Sequence, residues 1–232
     1  MFLFCSYRGT PHRSRVRPRT WKTLRAGFLS LFLPCLAAPA TAADVPDPSV
    51  GRLNHAGYKD RQHCTATLVG AATAVTAKHC LVQGDVTEMH FLLGYDRGRW
   101  AEHRQPVAAA TDGLPGDVAF LCLGARSAAT PMRIANRAAQ RGETVVVIGY
   151  GRPRVHVASR TLCRVTATDG SKAFQLDCPL APGSSGGPVL RTTSDGPEIL
   201  GVVSATSRTR SVAYGIAGTD GTAPCNGPRK GR

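Results

Sequence analysis

Long apolar runs are absent from residues 43–232 of this sequence. A helix needs about 20 consecutive apolar residues to cross a bilayer, so we expect no stable membrane anchor in this part of the chain. Sustained helical periodicity and internal repeats are absent as well. Their absence argues against a helical or repetitive architecture.

Acidic residues are absent from residues 1–42, which contain seven Lys or Arg residues. A basic segment over residues 8–25 precedes a short apolar run over residues 26–38, and the sequence Ala-Thr-Ala follows at residues 40–42. This order is typical of a secretory signal peptide with its cleavage site. We therefore predict that residues 1–42 are a signal peptide and that the mature chain is secreted or periplasmic.

The positive charge of the whole chain is concentrated in that first segment. Of the 29 basic and 15 acidic residues, 22 and 15 lie in residues 43–232, which gives this part a net charge of +7. Such an excess is moderate for its length, and no nucleic-acid-binding motif accompanies it. We expect no nucleic acid among the partners.

Short β-type runs, many of them separated by Gly or Pro, make up most of the remaining sequence. Many short strands at such spacing are typical of an all-β barrel or sandwich. Residues 43–60, with Pro, Gly and Asp, are expected to form an irregular lead-in. The predicted strands cover residues 65–69, 74–76, 89–93, 118–123, 144–148, 161–165, 174–176, 189–190, 199–204 and 212–216.

Three motifs carry candidate catalytic side chains: Thr-Ala-Lys-His-Cys at residues 76–80, Gly-Asp-Val-Ala-Phe-Leu at 116–121 and Gly-Ser-Ser-Gly-Gly-Pro at 183–188. A serine hydroxyl is a weak nucleophile, so it needs a nearby base, and that base needs a carboxylate to orient it. We assign Ser185 as the nucleophile, His79 as general base and acid, and Asp117 as the orienting carboxylate.

Backbone N–H groups must also stabilise the oxyanion that develops during acyl transfer, and we assign those of Gly183 and Ser185. Two alternatives remain open from the sequence. Asp112 competes with Asp117, and Ser184 competes with Ser185 as the nucleophile.

The order of these residues along the chain separates the competing enzyme classes. The segment 183–187 also fits the Gly-x-Ser-x-Gly elbow of α/β-hydrolases, but that fold requires a histidine after the serine. The last histidine is His156, so that triad is excluded. A subtilisin order could recruit Asp60, but the strand-rich pattern opposes that fold. The His-Cys pairs at residues 63–64 and 79–80 lack the spacing of structural zinc sites, so we expect no metal.

At the three motifs the chain resembles the chymotrypsin family of serine proteases. Residues 149–151, Gly-Tyr-Gly, and 201–204, Gly-Val-Val-Ser, are similar to two further motifs of that family. The resemblance implies two six-stranded antiparallel β-barrels with the active site in the cleft between them. Residues 43–130 would form the N-terminal barrel with His79 and Asp117, and residues 131–232 the C-terminal barrel with Ser185, followed by a tail.

The resemblance also implies the activity. It is that of a serine endopeptidase that hydrolyses polypeptides through an acyl-enzyme, without a cofactor and as a monomer. Ser204 would form a hydrogen bond near Asp117 and, with Ala205 and Thr206, line the backbone of the substrate.

The sequence departs from the family at several positions. Ser184 stands where trypsin-like zymogens have an Asp that pairs with a new N-terminus, so we expect the oxyanion loop to form without that ion pair. Pro179 replaces the acidic residue that selects Lys or Arg, and Val203 replaces the His of glutamyl-specific relatives. A preference for small or apolar residues is the default expectation.

Six cysteines remain in residues 43–232, and an even number in an exported chain is typical of disulfides. Fifteen pairings are possible for six cysteines. We expect Cys64–Cys80 beside His79 and Cys163–Cys178 between two strands of the second barrel. Cys122–Cys225 is left by elimination.

A non-catalytic homologue that serves as a basic binding protein is the alternative to the enzyme, because a fold alone does not establish an activity. A blocked cleft, or an oxyanion loop with the Gly183 N–H turned away, would favour that alternative.

Overall fold

The computed structural model describes residues 46–55, 62–82, 84–169, 172–221 and 225. All of them lie in the compact unit Ala42–Arg232. The predicted signal peptide, residues 1–42, lies outside the described residues. No helix in the described part of the chain is long and apolar enough to span a membrane.

Fourteen β-strands and two short 3₁₀ turns, Lys78–Leu81 and Val86–Glu88, make up the described residues. The first seven strands are β1 (Val50–His55), β2 (His63–Gly70), β3 (Thr73–Ala77), β4 (Met89–Leu93), β5 (Glu102–Arg104), β6 (Pro106–Ala110) and β7 (Val118–Leu123). The other seven are β8 (Arg133–Ile134), β9 (Thr144–Gly149), β10 (Ser159–Thr168), β11 (Ala173–Leu176), β12 (Pro188–Thr193), β13 (Gly196–Thr206) and β14 (Ser211–Gly215). The all-β prediction is confirmed, and each of the predicted runs overlaps one of these strands.

The prediction of an irregular lead-in was wrong for Val50–His55. This segment is β1, which lies inside the first sheet between β2 and β4. Its side chains alternate between buried and partly exposed from Gly51 onwards. Gly51 is required there because a Cβ atom would overlap Phe91 and the backbone of Leu92 on the neighbouring strand.

The first sheet is antiparallel, with the strand order β5-β4-β1-β2-β3-β7-β6. Its two outer strands, β5 and β6, are consecutive in the chain, with Gln105 alone between them. The chain therefore passes directly from one edge of the sheet to the other. This half has seven short strands where the sequence predicted six, because Gln105 separates β5, which pairs with β4, from β6, which pairs with β7.

The second sheet has the order β12-β9-β10-β11-β14-β13-β8. The additional pairing of β12 with β13 closes its six antiparallel strands into a barrel. β8 pairs in parallel with β13 and lies outside that closed ring. The predicted six-stranded barrel is thus present in this half, with one short strand added.

Three clusters of buried apolar side chains form the core. One belongs to the first sheet and includes Leu53, Phe91 and Leu121, and one belongs to the second and includes Phe174 and Leu200. The third combines residues of both sheets, with Val75 and Phe120 of the first, and Ile148, Tyr150, Leu190 and Ile199 of the second half. This shared cluster holds the two sheets together, and the candidate catalytic residues lie in segments at this seam.

Three disulfides connect the described cysteines. Cys64 on β2 pairs with Cys80 in the turn after β3, Cys163 on β10 pairs with Cys178 beyond β11, and Cys122 on β7 pairs with Cys225. These are the three pairs expected from the sequence.

Candidate active site

Strand pairing between β3 and β7 brings His79 to Asp117. Ala77 at the end of β3 lies opposite Val118 at the start of β7. The turn after Ala77 and the residue before Val118 therefore meet, with the Lys78 N–H 3.2 Å from the Asp117 carbonyl oxygen. The backbone N–H of His79 donates to Asp117 Oδ1 at 2.8 Å, and His79 Nδ1 lies 2.6 Å from Asp117 Oδ2.

The short contact between the His79 ring and Asp117 determines which ring nitrogen carries the proton. A carboxylate can only accept a hydrogen bond, so Nδ1 is the protonated nitrogen. In the neutral ring Nε2 then has a free lone pair, which is the form that a general base requires. The His79 side chain is 45% exposed, so this nitrogen is accessible.

Ser204 completes the surroundings of the carboxylate. The pairing of β13 with β14 shifts register between Val203 and Ala205, and this bulge leaves Ser204 between the paired positions. Bulges often re-aim a side chain near a functional site. Here the Ser204 hydroxyl donates to Asp117 Oδ2 at 2.5 Å.

The environment of Asp117 favours its charged form. Burial raises the pKa of this carboxyl group, but the hydrogen bonds from His79 and Ser204 outweigh it and hold the pKa below its ordinary value. Asp112, the alternative carboxylate, has an exposed side chain in a turn. Of the two aspartates, Asp117 is the one that contacts His79.

A cavity of about 410 Å³ lies beside His79 and Ser185, and both residues line it. Among the described residues, no hydrogen bond joins the Ser185 hydroxyl to the His79 ring. Ser184 is buried, with its side chain packed against Gly149 and Gly151. Of the two adjacent serines, Ser185 is therefore the one that faces the cavity.

The peptide groups around Ser185 have defined orientations. The Pro182 carbonyl accepts from the Arg152 N–H at 3.0 Å, and the Ser184 carbonyl accepts from the Gly187 N–H at 2.9 Å. The N–H of a trans peptide points away from its carbonyl. The N–H groups of Gly183 and Ser185 therefore point to the opposite side, and neither has an acceptor among the described residues.

The cavity lies on one side of Ser185 only. Its wall includes the Cys64–Cys80 disulfide, His63 and Arg152, but none of the residues Ser204–Thr206. Those three residues form the end of β13, where Ala205 is exposed and the strand has passed its last pairing with β12. The structure thus offers two separate surfaces beside Ser185, and the sequence predicted only the β13 surface.

Potential metal-ligand atoms of Cys64, His79 and Cys80 lie within 4.8 Å of one another. The two sulfur atoms are joined in a disulfide, however, and a metal requires the thiolate form of cysteine. His79 alone cannot hold a metal ion, so this cluster does not fit a metal centre while the disulfide is intact.

Sequence reasoning missed Thr65 and His63 as parts of the site. The Thr65 hydroxyl donates to the Gly183 carbonyl at 2.9 Å. His63 Nε2 lies 2.6 Å from the Tyr150 carbonyl oxygen, and its ring lies against Gly183. His63 precedes Cys64 in sequence, but no pattern there indicates a contact with a loop about 120 residues further along the chain.

Comparisons with known proteins agree with this arrangement. The family model described as "Trypsin-like peptidase domain" matches residues 64–202. No curated protein sequence matches the chain.

Several solved structures of bacterial proteases share the fold. The VesB protease of Vibrio cholerae is 18% identical with a TM-score of 0.63, and the match covers 76% of this chain and 63% of VesB. The secreted serine protease VesC of Vibrio cholerae has the same identity, TM-score and share of this chain, with 45% of VesC covered. The protease Anisep of Arthrobacter nicotinovorans is 19% identical with a TM-score of 0.59, covering 77% of this chain and 94% of Anisep. The predicted chymotrypsin-like two-barrel fold is confirmed by these similarities, and the chain spans less than two thirds of the two Vibrio proteins.

Proposed function

Because this chain belongs to the trypsin-like peptidase domain family, we propose that it is a serine endopeptidase that acts through an acyl-enzyme on Ser185. One observation carries the proposal. The His79 ring lies 2.6 Å from a carboxylate of depressed pKa and borders the same cavity as Ser185. A hydroxyl, an imidazole and a carboxylate in this order are the groups that acyl transfer requires.

In the first half of the reaction, Ser185 Oγ attacks the carbonyl carbon of the scissile peptide bond while His79 Nε2 accepts its proton. Asp117 stabilises the imidazolium that forms and keeps Nδ1 protonated. The N–H groups of Gly183 and Ser185 donate to the oxyanion of the tetrahedral intermediate. When the carbon–nitrogen bond breaks, His79 returns its proton to the leaving amine, and the acyl group remains on Ser185.

In the second half, water replaces the amine. His79 Nε2 accepts a proton from the water molecule as it attacks the ester carbonyl, and the same two N–H groups hold the second oxyanion. Collapse of this intermediate breaks the bond to Ser185 Oγ, which takes the proton back from His79. The products are a free carboxylic acid and the original enzyme, so no cofactor or oxidant is needed.

The two surfaces beside Ser185 have different roles in this proposal. The exposed edge at Ser204, Ala205 and Thr206 binds the backbone of the acyl side of the substrate as an added strand. The cavity beside the Cys64–Cys80 disulfide receives residues of the leaving-group side. Pro179 carries no charge that could select Lys or Arg, which supports the preference for small or apolar residues.

The same proposal includes an exported, monomeric protein. Three disulfides are typical of an oxidising compartment, which supports the predicted secreted or periplasmic location. The predicted division into residues 43–130 and 131–232 is consistent with two sheets that end at Leu123 and begin at Arg133.

A fluorophosphonate probe tests the activity, because it reacts only with a serine that a base has activated. We expect the protein with its disulfides formed to be labelled, and Ser185→Ala to abolish the labelling. Ser184→Ala is the matched control and should label normally, since the Ser184 side chain faces away from the cavity. Absence of labelling in folded wild-type protein would contradict the proposal and favour a non-catalytic binding protein. Loss of labelling in Ser184→Ala but not in Ser185→Ala would identify Ser184 as the nucleophile.

A further inference from the structure

Thr65 occupies an unusual position for a buried threonine, because its backbone N–H and its hydroxyl both bond to segments outside the first sheet. Its side chain is completely buried at the start of β2. The backbone N–H donates to the Ser185 carbonyl at 2.8 Å, and the hydroxyl donates to the Gly183 carbonyl at 2.9 Å. The hydroxyl also accepts from the Tyr150 N–H at 3.0 Å, and the Thr65 carbonyl accepts from the Thr76 hydroxyl at 2.8 Å.

Two of these bonds end on the loop that holds the nucleophile. Each of the four carbonyl groups from Pro182 to Ser185 accepts a hydrogen bond, and Thr65 supplies those of Gly183 and Ser185. The other two come from the N–H groups of Arg152 and Gly187. Of the four donors, the Thr65 hydroxyl is the only side chain, so it is the one that a substitution can remove.

The Gly183–Ser184 peptide lies between the two peptides that carry the oxyanion donors. Its orientation therefore sets the direction of the Gly183 N–H relative to the Ser185 N–H. Gly183 has a φ of 102°, a conformation that glycine adopts readily and other residues rarely do. Because glycine is free to rotate, the orientation depends on the hydrogen bonds of this peptide. The Ser184 N–H donates to the Ala181 carbonyl at 3.0 Å within the loop, and the Thr65 hydroxyl donates to the Gly183 carbonyl from the first sheet.

We propose that Thr65 is a positioning residue for the oxyanion hole. It links a strand of the first sheet to the nucleophile loop of the second half, and it holds the loop ready for reaction without any ion pair at Ser184. The inference rests on the proposed function, since it assigns Gly183 and Ser185 as oxyanion donors.

Thr65→Val tests the inference, because valine keeps the shape of threonine and removes both bonds of the hydroxyl. Thr67→Val is the matched control. Thr67 is equally buried on the same face of β2, and its hydroxyl has no hydrogen-bond partner among the described residues. Thr65→Ser keeps the hydroxyl and should restore the wild-type behaviour. If Thr65→Val does not fold, Thr65→Ala removes the hydroxyl without replacing it.

The first measurement is the rate of fluorophosphonate labelling as a function of probe concentration. We expect Thr65→Val to reduce the maximal rate by roughly 100-fold, as loss of an oxyanion donor does, while half-saturation stays at the same probe concentration. Thr65→Ser and Thr67→Val should remain close to wild type. Equal rates in Thr65→Val and Thr67→Val would overturn the inference.

The second measurement does not depend on catalysis. Amide hydrogen exchange over residues 182–187 should be faster in Thr65→Val than in Thr67→Val, because the loop has lost its side-chain anchor. If wild-type protein is not labelled, the proposed function fails, but exchange still decides whether Thr65 orders the loop. Identical exchange in the two variants would reject the role of Thr65 whatever the activity.

Discussion

Three hydrogen bonds converge on the carboxylate of Asp117, whose side chain is still 21% exposed. Two come from His79, through its backbone N–H and its ring, and one comes from Ser204. Burial raises the pKa of this group, yet the hydrogen bonds lower it further than burial raises it. The donors therefore keep the residue charged, which is the state that the proposed role of His79 as a base requires.

The depressed pKa of Asp117 makes a prediction about stability and pH. Since the pKa is lower in the folded than in the unfolded chain, the charged carboxylate contributes stability above its ordinary value of 3.8. This contribution is lost as the pH falls through the folded-state pKa. We expect Asp117→Asn to be less stable than wild type at pH 6, with a difference that shrinks as the pH drops below 4 in urea titrations.

Labelling provides a second readout for the same variant. Asp117→Asn should react on the order of 10⁴-fold more slowly, because an amide favours the wrong tautomer of His79. Asp112→Asn is the control, since its side chain lies in an exposed turn, and it should match wild type in both experiments. A stability difference for Asp117→Asn that stays constant from pH 6 to pH 3 would argue against the depressed pKa.

At the same scale, some of the residues proposed as functional could be predicted from the sequence and others could not. His79, Asp117 and Ser185 stand in motifs whose composition indicates their chemistry. Thr65 stands in no such motif. It is one of four buried threonines on strands, the others being Thr67, Thr73 and Thr76, and the sequence does not distinguish them. What distinguishes Thr65 is a partner 118 residues away, and only the folded chain brings the two together.

At the scale of strands, β12 contains a buried cation. The Arg191 side chain is 10% exposed and forms ion pairs with Glu143 and Glu198. It also donates to the backbone carbonyls of Arg137 and Ala138. Arg191 therefore ties the segment before β9 to both β12 and β13.

Arg191→Met should lower the free energy of unfolding by about 3 kcal/mol, because it leaves two partly buried carboxylates without their cation. Urea unfolding at neutral pH measures the change. Arg160→Met is the control. Arg160 is 47% exposed and lies 3.6 Å from Asp47, so its loss should cost at most about 1 kcal/mol. Similar losses in the two variants would show that burial of the Arg191 cluster is unimportant.

Strands that follow a clear apolar pattern were predicted, and those that depend on their neighbours were not. β1 was missed because Gly51 and the preceding prolines are typical of loops, although Gly51 is needed for the close approach of β4. β5, β6 and β8 were also missed. β6 exposes Val107, Ala108 and Ala109, and β8 has two residues, so neither carries an alternating pattern.

For the molecule as a whole, the site depends on how the two sheets meet. His79 and Asp117 belong to segments of the first sheet, and Ser185 and Ser204 to segments of the second. The mixed core cluster and Thr65 both span this seam. The resemblance to a known family predicted the two barrels, but the division of one stretch at Gln105 into β5 and β6 could not be predicted without the strand order.

The Cys122–Cys225 disulfide should stabilise the whole molecule more than the Cys163–Cys178 disulfide does. Their sequence separations are 103 and 15, and a longer closed loop removes more entropy from the unfolded chain. In the chain-entropy model, replacing both cysteines by serine should cost about 4.7 kcal/mol for the first and about 3 kcal/mol for the second. Neither disulfide lines the cavity, so both variants should still be labelled while folded.

Urea titration of the two double variants measures this difference. The Cys122→Ser/Cys225→Ser protein should unfold at the lower urea concentration. The reverse order would mean that local strain or residual structure, and not loop length, determines what each disulfide contributes.

The connection between β5 and β6 at Gln105 affects how the first sheet is protected from self-association. Unpaired strand edges invite other chains to add a strand, which is a common route to aggregation. In the first sheet the two edge strands have only three and five residues and are joined at Gln105, so each offers few unpaired backbone groups. The end of β13 beyond Val203 lies past its pairing with β12 and can accept an incoming strand. In the described residues the edges of the first sheet are therefore short, and one strand edge stays open beside Ser185, where the proposed function places the substrate.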